Sequence, residues 1–138
     1  MNPPGEAPPF ETVAAVITDA AGRVLLVRKR GSAFFIQPGG KREAGETSLQ
    51  TLARELREEL GVRLREAGAQ RLGSFEAAAV NEPGRRVRAE VYRVQVDGRP
   101  APGAEIDELV WLDPAPPHPV PVAPLSASHI LPAHLRLP

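Results

Sequence analysis

The chain has 138 residues, the size of one ordinary domain, with seventeen basic and seventeen acidic side chains. That balance excludes a strongly basic nucleic-acid coat, and the absence of cysteine excludes disulfides, zinc–thiolate sites and thiol catalysis. The longest purely apolar run, Val13 to Ile17, is far short of the roughly 20 residues that span a bilayer, and the first residues, MNPPGEAPPF, lack the pattern of a signal peptide. The expected setting is therefore cytoplasmic, with neither nucleic acid nor membrane as partner.

Proline clusters at both ends: four of sixteen fall in the first nine residues and eight between Pro114 and Pro138. Because proline fixes φ and lacks an N–H, residues 1–10 read as a flexible arm and 114–125 as an extended segment. Thr12–Thr18 is rich in β-branched residues. It runs through the turn cluster Asp19 to Gly22 into Val24–Val27, so 12–28 reads as a hairpin. Phe34–Gln37 is a short apolar run closed by Pro38-Gly39-Gly40, which reads as a loop. Ser48–Leu60 has the helical period, with Glu46 or Thr47 as cap and Gly61 as stop. Leu72–Ala78, Arg86–Gln95 and Glu108–Leu112 read as strands, and Ser126–Leu131 as a short helix ending before Pro132.

On the helix, at roughly 100° per residue, Leu49, Leu52, Ala53, Leu56 and Leu60 form one apolar stripe. Glu55, Glu58 and Glu59 lie beside that stripe, not opposite it. Three carboxylates at i, i+3 and i+4 repel one another, and the C-terminal end of the helix dipole disfavours them further. A divalent cation would neutralise them; carboxylates without cysteine or histidine favour Mg²⁺ or Mn²⁺ over zinc. A solvated Glu/Arg helix face explains the same pattern. The loop in front tips the balance. Gly39 and Gly40 allow backbone to approach a ligand closely, and Lys41 and Arg42 follow as partners for phosphate oxygens.

Gly40, Glu46, Arg54, Glu55, Leu56, Glu58, Glu59, Gly61 and Val62 stand at the spacing of a 23-residue signature, and the segment resembles that of the Nudix hydrolases. The resemblance implies an α/β fold, the α/β/α sandwich with a mixed sheet in which the signature forms a loop-helix-loop. Residues 11–113 would be that domain, with the proline-rich 114–138 packing on it. It also implies metal-dependent hydrolysis of a diphosphate linkage in a nucleoside diphosphate derivative. Glu55 and Glu59 would be the main Mg²⁺ or Mn²⁺ ligands, Glu58 a further ligand or the group that deprotonates water, and Gly40 a carbonyl ligand. Arg54 would orient the glutamates and Glu46 would brace the loop. Homodimers are common among such relatives.

Substrate class is less sharply marked. The proline of ADP-ribose pyrophosphatases and the tyrosine of dinucleoside polyphosphate hydrolases are missing about sixteen residues past the signature. By elimination a MutT-like action on nucleoside triphosphates is expected, with ADP-ribose or nucleotide-sugar hydrolysis as the alternative. A non-catalytic nucleotide sensor is the alternative of another class. Arg28, Arg30 and Lys41 are candidate phosphate contacts and Phe35 a candidate base contact, each competing with an ordinary role in core or surface. Arg28, Lys29 and Arg30 alternate faces in a strand, so at most two of them can share a site. Glu90, Glu105 and Glu108 are candidates for a further carboxylate.

Overall fold

The computed structural model describes residues 7–138; most of the expected N-terminal arm lies outside them. Seven strands and two helical segments follow in order: β1 (Phe10–Val16), β2 (Val24–Lys29), β3 (Phe35–Ile36), β4 (Gly39–Lys41), α1 (Ser48–Leu60), β5 (Arg63–Ala78), β6 (Arg86–Asp97), β7 (Ile106–Leu112), a wide turn over Leu125–Ile130, and α2 (Leu131–Arg136). The strands form two sheets, ordered β4-β1-β6-β5 and β3-β2-β7. The first is mixed, because β1 runs parallel to β6 and antiparallel to β4.

Alternation along β1 and β2 builds two cores. Val13, Ala15, Ile17, Leu25 and Val27 face Leu52, Leu56 and Leu60 of α1. Ala14, Val16, Val24 and Leu26 face the other way, onto Ile130 and Leu131. Period-two side chains thus cover both sheet faces with helix, which is the layered α/β arrangement expected. Leu56 is fully buried. Leu56→Ala is expected to cost about 3 kcal/mol and to lower Tm by roughly 10 °C; an unchanged melting curve would contradict this packing.

Helix α1 spans Ser48–Leu60 as its periodicity requires. Thr47 is its cap, in a reciprocal box with Gln50, and Gly61 ends it at φ 68°. Three expectations need correction. The 12–28 segment turns through Asp19, whose carboxylate takes the Ala21 and Arg23 N–H groups, but β1 and β2 then part into different sheets. Their pairing is confined to contacts such as the Thr18–Val24 bridge and Leu25 N–H to Ile17 O. Gly39–Lys41 is not loop but the edge strand β4, paired with Thr12–Ala14. Gly39 makes this pairing feasible: a Cβ there would lie 2.1 Å from the Val13 carbonyl oxygen, and its φ is +146°. The C-terminal helix does not stop at Pro132. Leu131 N–H bonds the Ser126 carbonyl, five residues back, and α2 continues through the proline. A widened turn relieves the clash that a proline ring makes with the carbonyl four residues before it.

Candidate active site

A cleft of about 500 Å³ opens where the N-terminal end of β4, the C-terminal half of α1 and the Ala78–Glu82 segment meet. Gly40, Lys41, Glu55, Glu58 and Glu59 all line it. Their burial is graded. Glu59 is only 5% exposed, whereas the Glu58 side chain is 54% exposed. Glu59 Oε1 accepts the Gly39 N–H at 3.1 Å, so β4 fixes the deepest carboxylate. Burial pushes the Glu59 carboxyl up to about 7, and the nearby Glu55 and Glu58 charges add to this. The Gly39 N–H and the Lys29 charge oppose it.

Arg54 connects the parts. Its Nε and Nη2 donate to the Glu46 carboxylate at 2.7 and 2.9 Å, Nη2 also to the Lys41 carbonyl at 3.0 Å, and Nη1 to Glu55 Oε1 at 2.7 Å. Glu58 lies 3.8 Å from the same guanidinium. Glu46 also accepts the Glu43 N–H and the Thr51 hydroxyl, both at 2.9 Å, which closes the 42–47 loop on α1. The Arg54 hydrogen bonds, with the Glu43 N–H, hold the Glu46 carboxyl down at about 2. A carboxyl depressed below its ordinary 4.5 stabilises the fold fully above that value and loses this as pH falls through about 2. Glu46→Gln is therefore expected to be less stable than wild type at pH 6, with the gap closing as pH falls from 4.5. Urea titrations across this range check it; a gap constant in pH would contradict the pairing.

The donor set fits a hard divalent cation in kind. It consists of carboxylate and carbonyl oxygens, and Gly40 leaves room that a side chain would fill, since a Cβ there would lie 2.4–2.7 Å from the Glu55 carboxylate atoms. Among the described residues, however, no three acidic or imidazole groups already surround one point. Glu55 is held by Arg54 and Glu59 by Gly39, and Glu58 is the least constrained of the three.

Other expected contacts fall elsewhere. Arg28 is engaged by Glu108 at 3.2 Å and the Ser32 carbonyl at 3.1 Å, and Arg30 lies 3.8 Å from Asp107. Neither lines the cleft; the residue between them, Lys29, does. Strand β2 ends at Lys29 with a register shift between Arg28 and Lys29, so simple alternation does not decide which of the three reaches the cleft. Phe35, 3% exposed, sits in the second core, where Ala14, Val16 and Ile130 also pack, and does not line the cleft. Its expected base contact is corrected to core packing. Lys41 lines the cleft with its ammonium 4.3 Å from the Phe10 ring, whose centroid also has the Arg85 guanidinium at 4.0 Å. Glu105 lines the cleft; Glu108 is taken by Arg28, and Glu90 accepts the Tyr92 hydroxyl at 2.5 Å. Gln37 also lines the cleft and is 6% exposed; a lone amide just before Pro38, it carries no motif that marks it in the sequence.

A glycine strand, clustered carboxylates and two lysines thus border one cleft. Comparison with known proteins gives the family. The model of the NUDIX domain matches residues 8–130, and the chain belongs to that family. It superposes on the solution structure of the E. coli ORF135 protein with a TM-score of 0.76, at 30% identity, over 99% of this chain and 95% of that one. Among curated proteins it is 36% identical over 115 residues to an octanoyltransferase of Myxococcus xanthus, over 77% of this chain and 31% of that protein. It is 39% identical over 57 residues to the 8-oxo-dGTP diphosphatase of Haemophilus influenzae, over 38% of this chain and 42% of that protein. The chain thus spans less than half the length of these curated relatives.

Proposed function

We propose that the protein is a divalent-metal-dependent pyrophosphohydrolase acting on nucleoside triphosphates and releasing a nucleoside monophosphate and pyrophosphate. One observation carries this reading: an unbroken signature, from Gly40 to Val62, whose three glutamates and Gly40 border the same cleft as Lys29 and Lys41. Glu55, Glu59 and the Gly40 carbonyl are the residues to hold Mg²⁺ or Mn²⁺. When bound, the ion would supply positive charge for the phosphate oxygens and make a water more acidic. The chain's own groups do the rest. Lys29 and Lys41 meet phosphate oxygens, Arg54 fixes Glu55 through the 2.7 Å bond, and Glu58, the most exposed of the three, takes the proton from the attacking water. The partial likeness to an 8-oxo-dGTP diphosphatase favours a nucleoside triphosphate over ADP-ribose or a nucleotide sugar.

The test is a panel of nucleoside triphosphates, ADP-ribose, nucleotide sugars and dinucleoside polyphosphates with Mg²⁺, scored by product identity. Monophosphate and pyrophosphate from a triphosphate are expected. Cleavage confined to ADP-ribose or a nucleotide sugar would replace the substrate class, and binding without cleavage of any would make the domain a sensor.

A further inference from the structure

The inner part of the cleft holds a polar group that the hydrolytic machinery does not use. Gln37 lines the cleft and is 6% exposed. Its Nε2 donates to the Ala15 carbonyl at 3.0 Å. That bond also settles the orientation of the amide, since a flip would set oxygen against oxygen. Oε1 is left buried with no hydrogen-bond partner among the described residues. A buried acceptor without a donor costs free energy comparable to a lost hydrogen bond, and such atoms are rare in folded proteins. The lining of the same cleft includes the apolar Ile36, Ala89, Ala123, Leu125 and Ile130, and Ser126, 2% exposed, on the widened turn. An apolar pocket carrying one uncommitted acceptor is the arrangement that orients a flat heterocycle by a single edge.

We infer that Gln37 is a specificity-determining residue whose Oε1 accepts a hydrogen bond from the exocyclic amino group of a nucleobase seated in the inner cleft. Because one Nε2–H is committed to the Ala15 carbonyl, the amide is held with Oε1 as its free acceptor, which reads a donor. An exocyclic amino group, which projects beyond the ring, reaches a recessed acceptor better than a ring N–H does. Adenine, guanine and cytosine carry such a group and uracil does not. The inference deepens the proposed function and rests on it for the nucleotide nature of the ligand.

Binding of AMP, GMP, CMP, UMP and ribose 5-phosphate, measured by calorimetry with Mg²⁺, tests it apart from turnover. At least one amino-bearing monophosphate is expected to bind wild type about tenfold more tightly than UMP or ribose 5-phosphate. Replacing its amino group by hydrogen, as in IMP for GMP or purine riboside monophosphate for AMP, should remove that gain. Gln37→Leu should do the same while leaving ribose 5-phosphate binding unchanged. The analogue comparison uses wild-type protein, so it decides even where the variant folds poorly. Equal binding of amino and amino-free bases, a preference that survives in Gln37→Leu, or no base-dependent binding at all would each overturn the role of Gln37. Hydrolysis of a triphosphate in the panel above could stand in any of those cases, so the two failures are distinguishable.

Discussion

Glu59→Gln is expected to lower metal-dependent turnover at least 10²–10³-fold and, at the same time, to make the metal-free protein more stable at pH 8. Both effects come from one placement. Glu59 is buried and accepts the Gly39 N–H, its one hydrogen bond among the described residues, and its carboxyl is pushed up to about 7 by burial. Between its ordinary 4.5 and 7 the folded chain keeps a proton that the unfolded chain has released. Stability of the metal-free protein therefore falls as pH rises through that window, and the full deficit is present above 7. Glutamine has nearly the same shape and no charge to desolvate, so it removes a penalty on the order of 3 kcal/mol. Turnover measured beside urea unfolding in EDTA, at pH 5 and pH 8, checks both halves. Loss of activity together with loss of stability would mean that Glu59 is structural. Unchanged activity would remove it from the proposed site.

The second large effect separates two adjacent glycines. At Gly39 a methyl group would lie 2.1 Å from the Val13 carbonyl oxygen and 2.8 Å from the Ala14 Cα, both backbone, at a φ of +146°. Neither neighbour can yield without unpairing β4 from β1. Gly39→Ala is therefore expected to cost about 3 kcal/mol or more and to give a poorly folded chain. At Gly40 the obstructing atoms are the carboxylate end of Glu55, 2.4–2.7 Å away, on a side chain that can rotate. Gly40→Ala should fold with a Tm within a few degrees of wild type. It should nevertheless lose most of its activity, because the methyl group displaces a proposed cation ligand from the Arg54 bond. Thermal melts and Mg²⁺-dependent rates on the pair check this. Equal Tm losses for the two variants, or wild-type rates in Gly40→Ala, would contradict the division of labour.

What was legible in the sequence was whatever local chemistry decides. Helix α1 carries its stripe, its Thr47 cap and its Gly61 stop within fifteen residues, so nothing distant is needed to place it. The signature spacing likewise brings Glu55, Glu58 and Glu59 onto one stretch of helix beside a glycine segment. What escaped depends on partners far along the chain. Pro38-Gly39-Gly40 has loop composition, yet Gly39–Lys41 pairs as a strand because β1 lies alongside and glycine alone tolerates the approach. The turn at Asp19–Arg23 is written locally. The separation of β1 from β2 is set by their partners β6 and β7, which lie 77 to 88 residues further along the chain. Arg28 and Arg30 look like phosphate contacts until Asp107 and Glu108 of β7 appear opposite them. Phe35 looks like a base contact until Ile130 and Leu131 close the second core.

The central claim is that the α1 carboxylates, set behind the glycine strand, hold a divalent cation. Electron paramagnetic resonance of Mn²⁺ titrated into wild type, Glu55→Gln and Glu59→Gln tests it most directly, because bound and free Mn²⁺ are counted without any choice of substrate. Saturable binding to wild type, weakened at least tenfold in both variants with their folds intact, is the predicted result. No bound Mn²⁺ in wild type, or equal binding in all three proteins, would contradict it.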